Sequence, residues 1–349
     1  MYESLFPVLQ IGYGQMGKWY LPLMLKAGIP ADQIVVVDSN PEVLLELMRR
    51  HPDVRVTPLL RDALSMSPQT AFVLTNSPTH LGILQSLCNT TVKHVLVEKP
   101  TVLACQRQEF KALFGVFKTF ATGFVINFSP ALQELLDFMN NEQLYLHQGS
   151  ARWQKDRSAD SRPTAGDVED ELVHPAEALL MLLRQRGGVK AVSVRASVDH
   201  IPYVNEEVQV AAHAKDGSFP AKPPSNAMVV LKVDQESRGS VRLFLQSSFV
   251  GFDQDRRIEV LLGGFNGKPT HKAQILFDTP EGDVLSIAPM GGQTTSRSVL
   301  PAKEKLGSMV VAFLNAAAGH SRDGRLTDFR ASERSVTLTN LVNNAATGS

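Results

Sequence analysis

The sequence predicts an α/β protein in which a doubly wound parallel sheet is followed by an α+β domain with a large, mostly antiparallel sheet. The first observation is the alternation of short apolar runs with helix-length amphipathic stretches in the N-terminal third, which is typical of parallel strands joined by crossover helices. The second is the predominance of strand-like segments further along the chain. The third is the length of 349 residues, enough for about two domains. We therefore predict one domain over residues 1–124 and a second over residues 125–349.

Six short apolar runs in the first domain are predicted to be its parallel strands. They are rich in valine and isoleucine and too short for helices. After the second run, Asn40-Pro41-Glu42 supplies a cap residue, a first-turn proline and a first-turn acid, which predicts the start of a helix. The predicted strands are Val8–Ile11, Ile34–Val37, Val54–Thr57, Ala71–Thr75, His94–Val97 and Thr119–Phe124.

The second domain begins with helix signals and continues with strand patterns. Ser129-Pro130 predicts the start of one helix, and another is predicted over Glu171–Arg184. Pro202–Asn226 has the composition of a strand interrupted by turns, and Gly263–Lys268 is predicted to be a hairpin turn because it lacks the ending of a phosphate loop. The alternation that predicts a sheet covered on one face occurs at Val192, Val194, Ala196 and Val198 and at Val241, Leu243 and Leu245.

Composition and charge restrict the partners that we expect. Hydrophobic residues make up 43% and charged residues 20% of the chain, which is typical of a globular protein. Lys plus Arg and Asp plus Glu each total 35, so no net charge attracts nucleic acid or an anionic membrane, and a small-molecule partner is expected. Cys88 and Cys105 are too few for a disulfide framework and are expected to be buried and reduced. Without a leader-like start, a membrane-length apolar run or metal-ligand spacing, we expect a cytoplasmic protein with no metal.

A glycine-rich turn follows the first predicted strand and opens a helix. Gly12 permits the tight turn, Gly14 lets backbone amides approach a pyrophosphate, and Gly17 lets the helix pack close to the strand. The helix N-terminus then stabilises the phosphate charge. An ordinary strand-to-helix turn is the alternative interpretation. The pattern predicts a Rossmann dinucleotide site made by Gly12, Tyr13, Gly14, Gln15, Met16 and Gly17.

Asp38 favours the dinucleotide site over that alternative. It ends the second strand 21 residues after Gly17, where a carboxylate accepts hydrogen bonds from the adenosine ribose hydroxyls. A 2′-phosphate close to this carboxylate is disfavoured by charge repulsion. The next residues, Ser39 and Asn40, offer no compensating cation, and Ser39 is expected to belong to the cofactor site. NAD is therefore the expected cofactor, with NADP as the second choice.

Further polar residues lie where later strands end. Glu98-Lys99-Pro100 follows the fifth strand and Asn76-Ser77-Pro78-Thr79-His80 the fourth, at the carboxyl edge where open α/β folds bind their ligands. In the second domain, Asp170, His174 and Glu177 are spaced so that a helix would place them on one face. The alternative is an acid-rich helix N-terminus with His174 as a partly buried residue.

Trp153, Lys155 and Arg157 follow a strand-like segment and precede the helix that carries Asp170. They are candidates to line the substrate side of the site. The alternative is a strand end at which a solvated basic rim surrounds one packed tryptophan.

Taken together, these motifs resemble the Gfo/Idh/MocA family, named for glucose-fructose oxidoreductase and inositol dehydrogenase. The resemblance spans nearly the whole chain. The residues that carry it are the turn Gly12–Gly17, the loop Asn76–His80, Glu98-Lys99-Pro100, Phe128-Ser129-Pro130 and Asp170-x-x-x-His174.

The resemblance implies a site in which Lys99 and His174 flank the nicotinamide, Asp170 orients or polarises them, and Pro100 follows a cis peptide bond. It also implies a homodimer or homotetramer. Asn76, Ser77, His80, Glu98 and Lys99 complete the implied cofactor site, and Trp153, Lys155 and Glu177 are assigned to the substrate side.

The chain departs from the family pattern in three places, and of the family's glycine-rich approach only Gly166 remains. Leu172 stands where the family has a glycine, and Glu177 stands where an aspartate is common. Because Leu172 adds bulk near the reacting carbon, the substrate of a typical family member cannot be transferred to this chain.

The resulting hypothesis is an NAD(P)-dependent dehydrogenase or reductase that moves a hydride between nicotinamide and a hydroxyl or carbonyl carbon of a sugar, a cyclitol or a related compound. His174 would exchange the hydroxyl proton and Lys99 would stabilise the developing charge. One alternative is reduction of an imine or a conjugated double bond in a biosynthetic intermediate. Another is a non-catalytic regulator that senses NAD.

Overall fold

The computed structural model describes residues 2–157, 164–186, 188–199, 225–236, 239–250, 254–301 and 304–347. The chain divides into two compact units. Unit 1 comprises Met1–Val125 and Leu306–Val336, and unit 2 comprises Ile126–Lys305 and Thr337–Ser349. The first boundary lies one residue from the predicted one at 124/125, whereas Leu306–Val336 had been assigned to the second domain.

Unit 1 is built on a six-stranded parallel sheet with the strand order β3-β2-β1-β4-β5-β6. This confirms the predicted doubly wound sheet. β1, β2, β4 and β5 are buried along their whole length, which explains their continuous apolar sequences. The strands are β1 Val8–Ile11, β2 Ile34–Val37, β3 Arg55–Thr57, β4 Thr70–Val73, β5 His94–Val97 and β6 Thr119–Thr122.

Helices join these strands, as the sequence predicts. The expected helix start after β2 is present, because the Asn40 side chain accepts a hydrogen bond from the Glu42 amide at 3.0 Å and Pro41 occupies the first turn. The helices of this part are α1 Gln15–Lys26, α2 Pro41–Arg50, α3 Leu60–Leu64, α4 Ser77–Leu87 and α5 Arg107–Lys111.

The C-terminal part of the chain returns to unit 1 and completes its core. Helix α8, which spans Lys305–Ala317, places the Phe313 ring against Phe72 with a centroid distance of 5.2 Å. Helix α9, which spans Phe329–Thr347, stacks Phe329 on Phe110 at 4.4 Å. The contribution of these helices was not predicted, since an amphipathic pattern shows that a face is buried but not which sheet it covers.

Unit 2 contains an eight-stranded sheet with the order β14-β13-β12-β11-β7-β10-β9-β8. Its neighbours pair antiparallel except β7 and β10, which confirms the expected mostly antiparallel sheet. Gly263–Lys268 joins β11 to β12, so the predicted hairpin is also confirmed. The strands are β7 Tyr145–Gln154, β8 Ala191–Asp199, β9 Asn226–Asp234, β10 Ser240–Ser248, β11 Arg256–Gly263, β12 Pro269–Thr279, β13 Gly282–Pro289 and β14 Ser296–Leu300.

Two helices of unit 2 pack on this sheet, α6 over Pro130–Asn141 and α7 over Val173–Arg186. One turn of π-helix, Val168–Leu172, precedes α7, so the α-helix starts later than predicted. A Cβ atom at Gly149 would lie 3.0 Å from Cδ2 of Leu179, so this glycine lets α7 approach β7 closely. Along β9 and β10 buried residues alternate with more exposed ones, as expected for a sheet covered on one face.

Some expectations are corrected or lie outside the described residues. Cys105 is exposed and Cys88 is half-buried, so the expected burial of both was wrong; Cys105 lies in a short surface 3-10 helix. The predicted interrupted strand Pro202–Asn226 falls almost entirely outside the described residues. Within the described ranges, no helix combines the length and apolar character needed to cross a membrane. The described side chains also include no group of three or more His, Cys, Asp or Glu residues arranged to hold a metal ion.

Candidate functional site

The glycine-rich turn between β1 and α1 has the geometry that the sequence predicts. Gly12 has a φ of +99°, and a Cβ atom there would lie 2.8 Å from the Leu74 carbonyl oxygen. A Cβ atom at Gly17 would collide with the Gly12 carbonyl oxygen, so the helix could not pack as closely with a larger residue. At Gly14, by contrast, a Cβ atom would meet nothing within 4 Å. The outer side of the turn is therefore open at the position where a pyrophosphate is expected, and the residues fit a dinucleotide.

Gln10 supports this turn from within β1. It is fully buried, and its Nε2 donates to the carbonyl oxygens of Gly12 at 3.0 Å and Gly17 at 3.3 Å. These bonds join the turn to the first turn of α1. Sequence reasoning missed this residue, although one glutamine inside an otherwise apolar strand was a detectable signal.

Asp38 faces the same turn from the end of β2. Its Oδ2 accepts a hydrogen bond from the Tyr13 amide at 2.7 Å, and its Oδ1 accepts one from the Asn40 amide at 2.9 Å. Each carboxylate oxygen has a second lone pair, which can accept from a ribose hydroxyl. Ser39, beside it, is exposed. The structure thus brings Asp38 and the glycine-rich turn together.

Cationic side chains also lie near this turn. Glu46 on α2 forms ion pairs with Lys18 at 2.9 Å and with Arg50 at 2.8 Å. Burial raises the pKa of Tyr13, and the charges of Arg50 and Lys18 oppose that rise, so both cations act on the Tyr13 hydroxyl. Lys18, on α1, and Arg50, at the end of α2, were missed as cations near the turn by sequence reasoning.

The loop after β5 is fixed by a buried carboxylate. Glu98 Oε1 accepts a hydrogen bond from the Tyr20 hydroxyl at 2.5 Å, and its Oε2 accepts one from the Lys99 amide at 3.1 Å. Burial raises the pKa of Glu98, and burial beside this carboxylate raises that of Tyr20. The Lys99–Pro100 peptide bond is cis, as the resemblance implied. Glu98 therefore holds the backbone from which the Lys99 side chain projects.

His80 joins two of the predicted loops. One ring nitrogen lies 2.9 Å from the Pro100 carbonyl oxygen and the other 3.0 Å from that of Thr75. Burial lowers the pKa of His80. Both ring nitrogens are thus engaged inside unit 1. Asn76 occupies the N-cap position of α4, without a side-chain capping hydrogen bond, and Ser77 is the first residue of the helix.

These loops meet at one edge of the unit 1 sheet because all six strands are parallel. β1 lies between β2 and β4, and β5 is the next strand along, so the segments after β1, β2, β4 and β5 are neighbours. The edge is also the point at which the strand order reverses, and ligands of open α/β sheets bind there. The structure therefore gathers the residues of the predicted cofactor site in unit 1.

In unit 2, Trp153, Lys155 and His174 were predicted to belong to the site. A fourth residue, Glu171, was not predicted as a site residue and contacts two of them. The Trp153 and His174 rings stack with centroids 5.6 Å apart and an interplanar angle of 23°. Glu171 accepts a hydrogen bond from the indole N–H of Trp153 at 3.1 Å and one from the Lys155 ammonium group at 3.3 Å. Sequence reasoning had given Glu171 only a general effect at the helix N-terminus.

Asp170 lies in the π-helical turn, and His174 lies in the first turn of α7. The expected shared face assumed a continuous α-helix, which a π-turn interrupts. Asp170 accepts a hydrogen bond from the Thr164 hydroxyl and lies 4.0 Å from the Arg157 guanidinium group. Glu177 is buried and pairs with Arg184 at 2.6 Å.

Another buried carboxyl group, that of Asp167, lies just before the π-helical turn. It is fully buried and accepts a hydrogen bond from the Ser247 hydroxyl. Burial raises its pKa well above the ordinary value, and the charges of Glu171 and Asp170 add to that rise. Unit 2 therefore holds a carboxyl group whose ionisation is disfavoured by burial, and two carboxylates near it, Asp170 and Glu171, are partnered by cations.

The chain combines a unit with a Rossmann-like parallel sheet and a unit built on a large, mostly antiparallel sheet. Among solved structures, it is similar to UDP-N-acetylglucosamine 3-dehydrogenase GnnA from Acidithiobacillus ferrooxidans, with 20% identity, a TM-score of 0.71 and coverage of 98% of this chain and 97% of that one. It is also similar to KijD10, a 3-ketoreductase from Actinomadura kijaniata in complex with NADP and TDP-benzene, with 16% identity, a TM-score of 0.73 and 97% of each chain covered. An oxidoreductase domain protein from Kribbella flavida matches at 16% identity with a TM-score of 0.71, over 98% of this chain and 96% of that one.

These likenesses confirm the fold over nearly the full length of the chain. No protein-family model matches it. No curated protein matches it either.

Proposed function

We propose that the chain is a nicotinamide-dependent oxidoreductase of the Gfo/Idh/MocA type. The observation that carries the proposal is the turn Gly12–Gly17 facing Asp38 at the point where the strand order of unit 1 reverses. This is the arrangement in which a dinucleotide pyrophosphate lies on a helix N-terminus and a carboxylate accepts from the ribose. The names of the similar structures, a dehydrogenase and a ketoreductase, support the same class of reaction.

We propose NAD as the preferred cofactor, on the charge of Asp38. A 2′-phosphate beside that carboxylate costs electrostatic free energy. NADP is the second candidate, favoured by the cations Lys18 and Arg50 around Tyr13 and by the NADP bound in KijD10. Direct titration with NADH and NADPH separates them: we expect NADH to bind at least about tenfold more tightly, and preferential binding of NADPH would reject the choice.

The proposed chemistry is transfer of a hydride, with its electron pair, from a carbon–hydrogen bond of the substrate to the cofactor while the hydroxyl proton leaves the adjoining oxygen. The bound cofactor supplies the acceptor of the hydride. His174 takes the proton, Lys99 donates a hydrogen bond to the same oxygen, and Asp170 keeps the pair correctly oriented. The steps reverse when the reaction runs as a reduction.

The proposed substrate is a sugar or cyclitol hydroxyl, or the matching ketone. Nucleotide-linked sugars join the candidates because GnnA is named for one and KijD10 holds a TDP compound. Leu172, which made imine or alkene reduction an alternative, is buried. Its bulk is therefore packed within unit 2, and reduction of a carbonyl remains the better-supported reaction.

The proposal is tested by following reduced-nicotinamide absorbance with NAD, NADP and a panel of sugars, cyclitols, nucleotide-linked sugars, keto acids and imines. Lys99→Ala and His174→Ala should each lower turnover by about 10²–10⁴-fold and leave cofactor affinity nearly unchanged. Exposed residues supply matched controls, Lys93→Ala before β5 and His320→Ala. Unchanged turnover in both site variants would remove the assignment. Tight cofactor binding without turnover of any compound would favour the alternative of a non-catalytic regulator that senses NAD.

We also propose that a second copy of the chain covers the outer face of the unit 2 sheet. Met228 is 59% exposed there and Phe244 39%. They line a groove together with Arg152, Arg257 and Glu259, so both signs of charge are present and the same patch on two copies can pair with itself. Light scattering measures the molar mass of the wild type and of Phe244→Arg. The wild type should have the mass of an oligomer and the variant a lower mass, and a monomeric wild type would refute the proposal.

A further inference from the structure

We infer that Trp153 and Glu171 are positioning residues that fix the imidazole ring of His174 before any substrate binds. The inference rests on the proposed function, in which His174 exchanges the substrate proton. It extends that function because neither Trp153 nor Glu171 is given this role by the sequence motifs.

The first support is the stacking of Trp153 on His174. Trp153 lies near the end of β7 and is only 3% exposed, whereas His174, in the first turn of α7, is half-buried. Their ring centroids are 5.6 Å apart and the rings are 23° from parallel. This is the offset-stacked geometry that aromatic pairs favour. One face of the imidazole is therefore set by the indole.

The second support is the hydrogen bond that holds the indole. The Trp153 N–H donates to Oε2 of Glu171 at 3.1 Å, while Oε1 of the same carboxylate accepts from Lys155 at 3.3 Å. Glu171 is 4% exposed. Since its two oxygens bind two residues at the end of β7, the carboxylate fixes the π-helical turn to that strand. Rotation of the indole would break a bond to a buried charged group, which is costly.

The third support is the packing around the rest of the indole. Arg256, the partner of Trp153 on β11, places its guanidinium carbon 5.4 Å from the ring centroid and pairs with Asp278 at 2.8 Å. Phe277 packs at a centroid distance of 5.6 Å. The indole is thus held by β11, β12 and the π-helical turn, and it is a rigid surface for the imidazole.

The functional consequence is preorganisation. A proton acceptor works best when its ring is already oriented within about 10–20° of the reactive geometry. A misplaced catalytic group lowers the rate by up to about a hundredfold without weakening cofactor binding. Trp153 and Glu171 provide that orientation from inside unit 2.

The test observes the free protein, without substrate, by NMR of labelled histidine and tryptophan side chains. In the wild type, the imidazole signals of His174 should be shifted upfield by the indole ring current, and those of the exposed His320 should not. Trp153→Leu should abolish that shift, and Trp153→Phe should keep part of it because an aromatic ring remains. Glu171→Gln should retain the indole hydrogen bond through its amide oxygen. Glu171→Leu should move the Trp153 N–H signal towards that of Trp19, the other tryptophan, which is 52% exposed.

Kinetics supply the second measurement. Trp153→Leu should lower kcat by about tenfold or more with cofactor affinity unchanged, and Trp153→Phe should restore most of the loss. Circular dichroism and cofactor binding check that each variant folds. If Trp153→Leu fails to fold, Trp153→Phe and Glu171→Leu decide the question by the same signals, and unchanged signals in both overturn the inference.

The outcomes separate the inference from the function on which it rests. His174 signals that are identical in the wild type and in Trp153→Leu overturn the inference, whatever the activity. An unchanged kcat in Trp153→Leu also overturns it. If His174→Ala keeps full turnover, or if no panel compound is converted, the proposed function fails, while the signals still decide whether the ring is fixed.

Discussion

Replacing Tyr20 by Phe should destabilise unit 1 to an extent that depends on pH. The change removes the hydroxyl that donates to Oε1 of Glu98 at 2.5 Å, and both side chains are buried. The substitution leaves this buried carboxyl oxygen without its hydroxyl donor. The expected loss in unfolding free energy is about 1–3 kcal/mol.

The pH dependence follows from the pKa of Glu98. Burial raises that pKa above the ordinary value of 4.5, and the Tyr20 hydroxyl opposes the rise, so the substitution raises it further. A carboxyl group with a raised pKa in the folded state contributes stability that is present below its unfolded pKa and is lost as the pH rises through its folded pKa. The deficit of the variant should therefore be smallest in acid and grow towards neutral and alkaline pH.

Urea unfolding of both proteins at about pH 5 and about pH 8 measures the effect. Tyr2→Phe is the matched control, because the Tyr2 hydroxyl donates at 2.8 Å to Oδ1 of Asn315, a neutral group, and its loss should be the same at both values. A Tyr20→Phe deficit that is constant with pH, or larger in acid, would refute the reasoning.

Three further predictions concern the turn, a histidine and an ion pair. Gly14→Ala should leave stability unchanged, because its Cβ atom meets no protein atom within 4 Å, but should weaken cofactor binding; Gly17→Ala should lower both, since its Cβ atom would collide with backbone. Calorimetric titration measures the cofactor affinity of each variant, and thermal unfolding measures its stability. Burial and neighbouring lysines lower the pKa of His94 from 6.5 to about 4. Its contribution to stability is therefore full above pH 6.5 and is lost as the pH falls towards 4. His94→Gln should flatten the plot of unfolding free energy against pH in that range, and a plot parallel to that of the wild type would contradict the prediction. Lys305→Met removes the cation that lies 3.0 Å from the fully buried Asp283. Urea unfolding should show that the free energy of unfolding falls by about 3–5 kcal/mol, and an unchanged free energy would contradict the prediction.

The features that follow from local sequence were predictable. β1, β2 and β5 have the predicted bounds, and the roles of Gly12 and Gly17 follow from where the glycines stand relative to the strand. Asp38 could be assigned because the length of a βαβ unit fixes where its second strand ends. These inferences need only short-range periodicity and backbone geometry.

The remaining features depend on contacts between distant parts of the chain. Glu171 joins Trp153 and Lys155 only because the π-helical turn packs on the end of β7, and no sequence spacing shows that contact. The cations near Tyr13 come from α1 and from the end of α2 rather than from the residues immediately after Asp38. For the same reason, periodicity predicted Asp170 and His174 on one helical face and did not detect the π-turn in which Asp170 lies.

The return of the chain to unit 1 affects the order in which that unit can be completed during synthesis. Thr122 and Ser332, which are hydrogen-bonded through their hydroxyl groups, are 210 residues apart in sequence. On the ribosome, the parallel sheet emerges long before Phe313 and Phe329, which cover its core. The nascent N-terminal segment must therefore wait, with apolar surface exposed, until Ile126–Lys305 of unit 2 and the returning segment Leu306–Val336 have been translated.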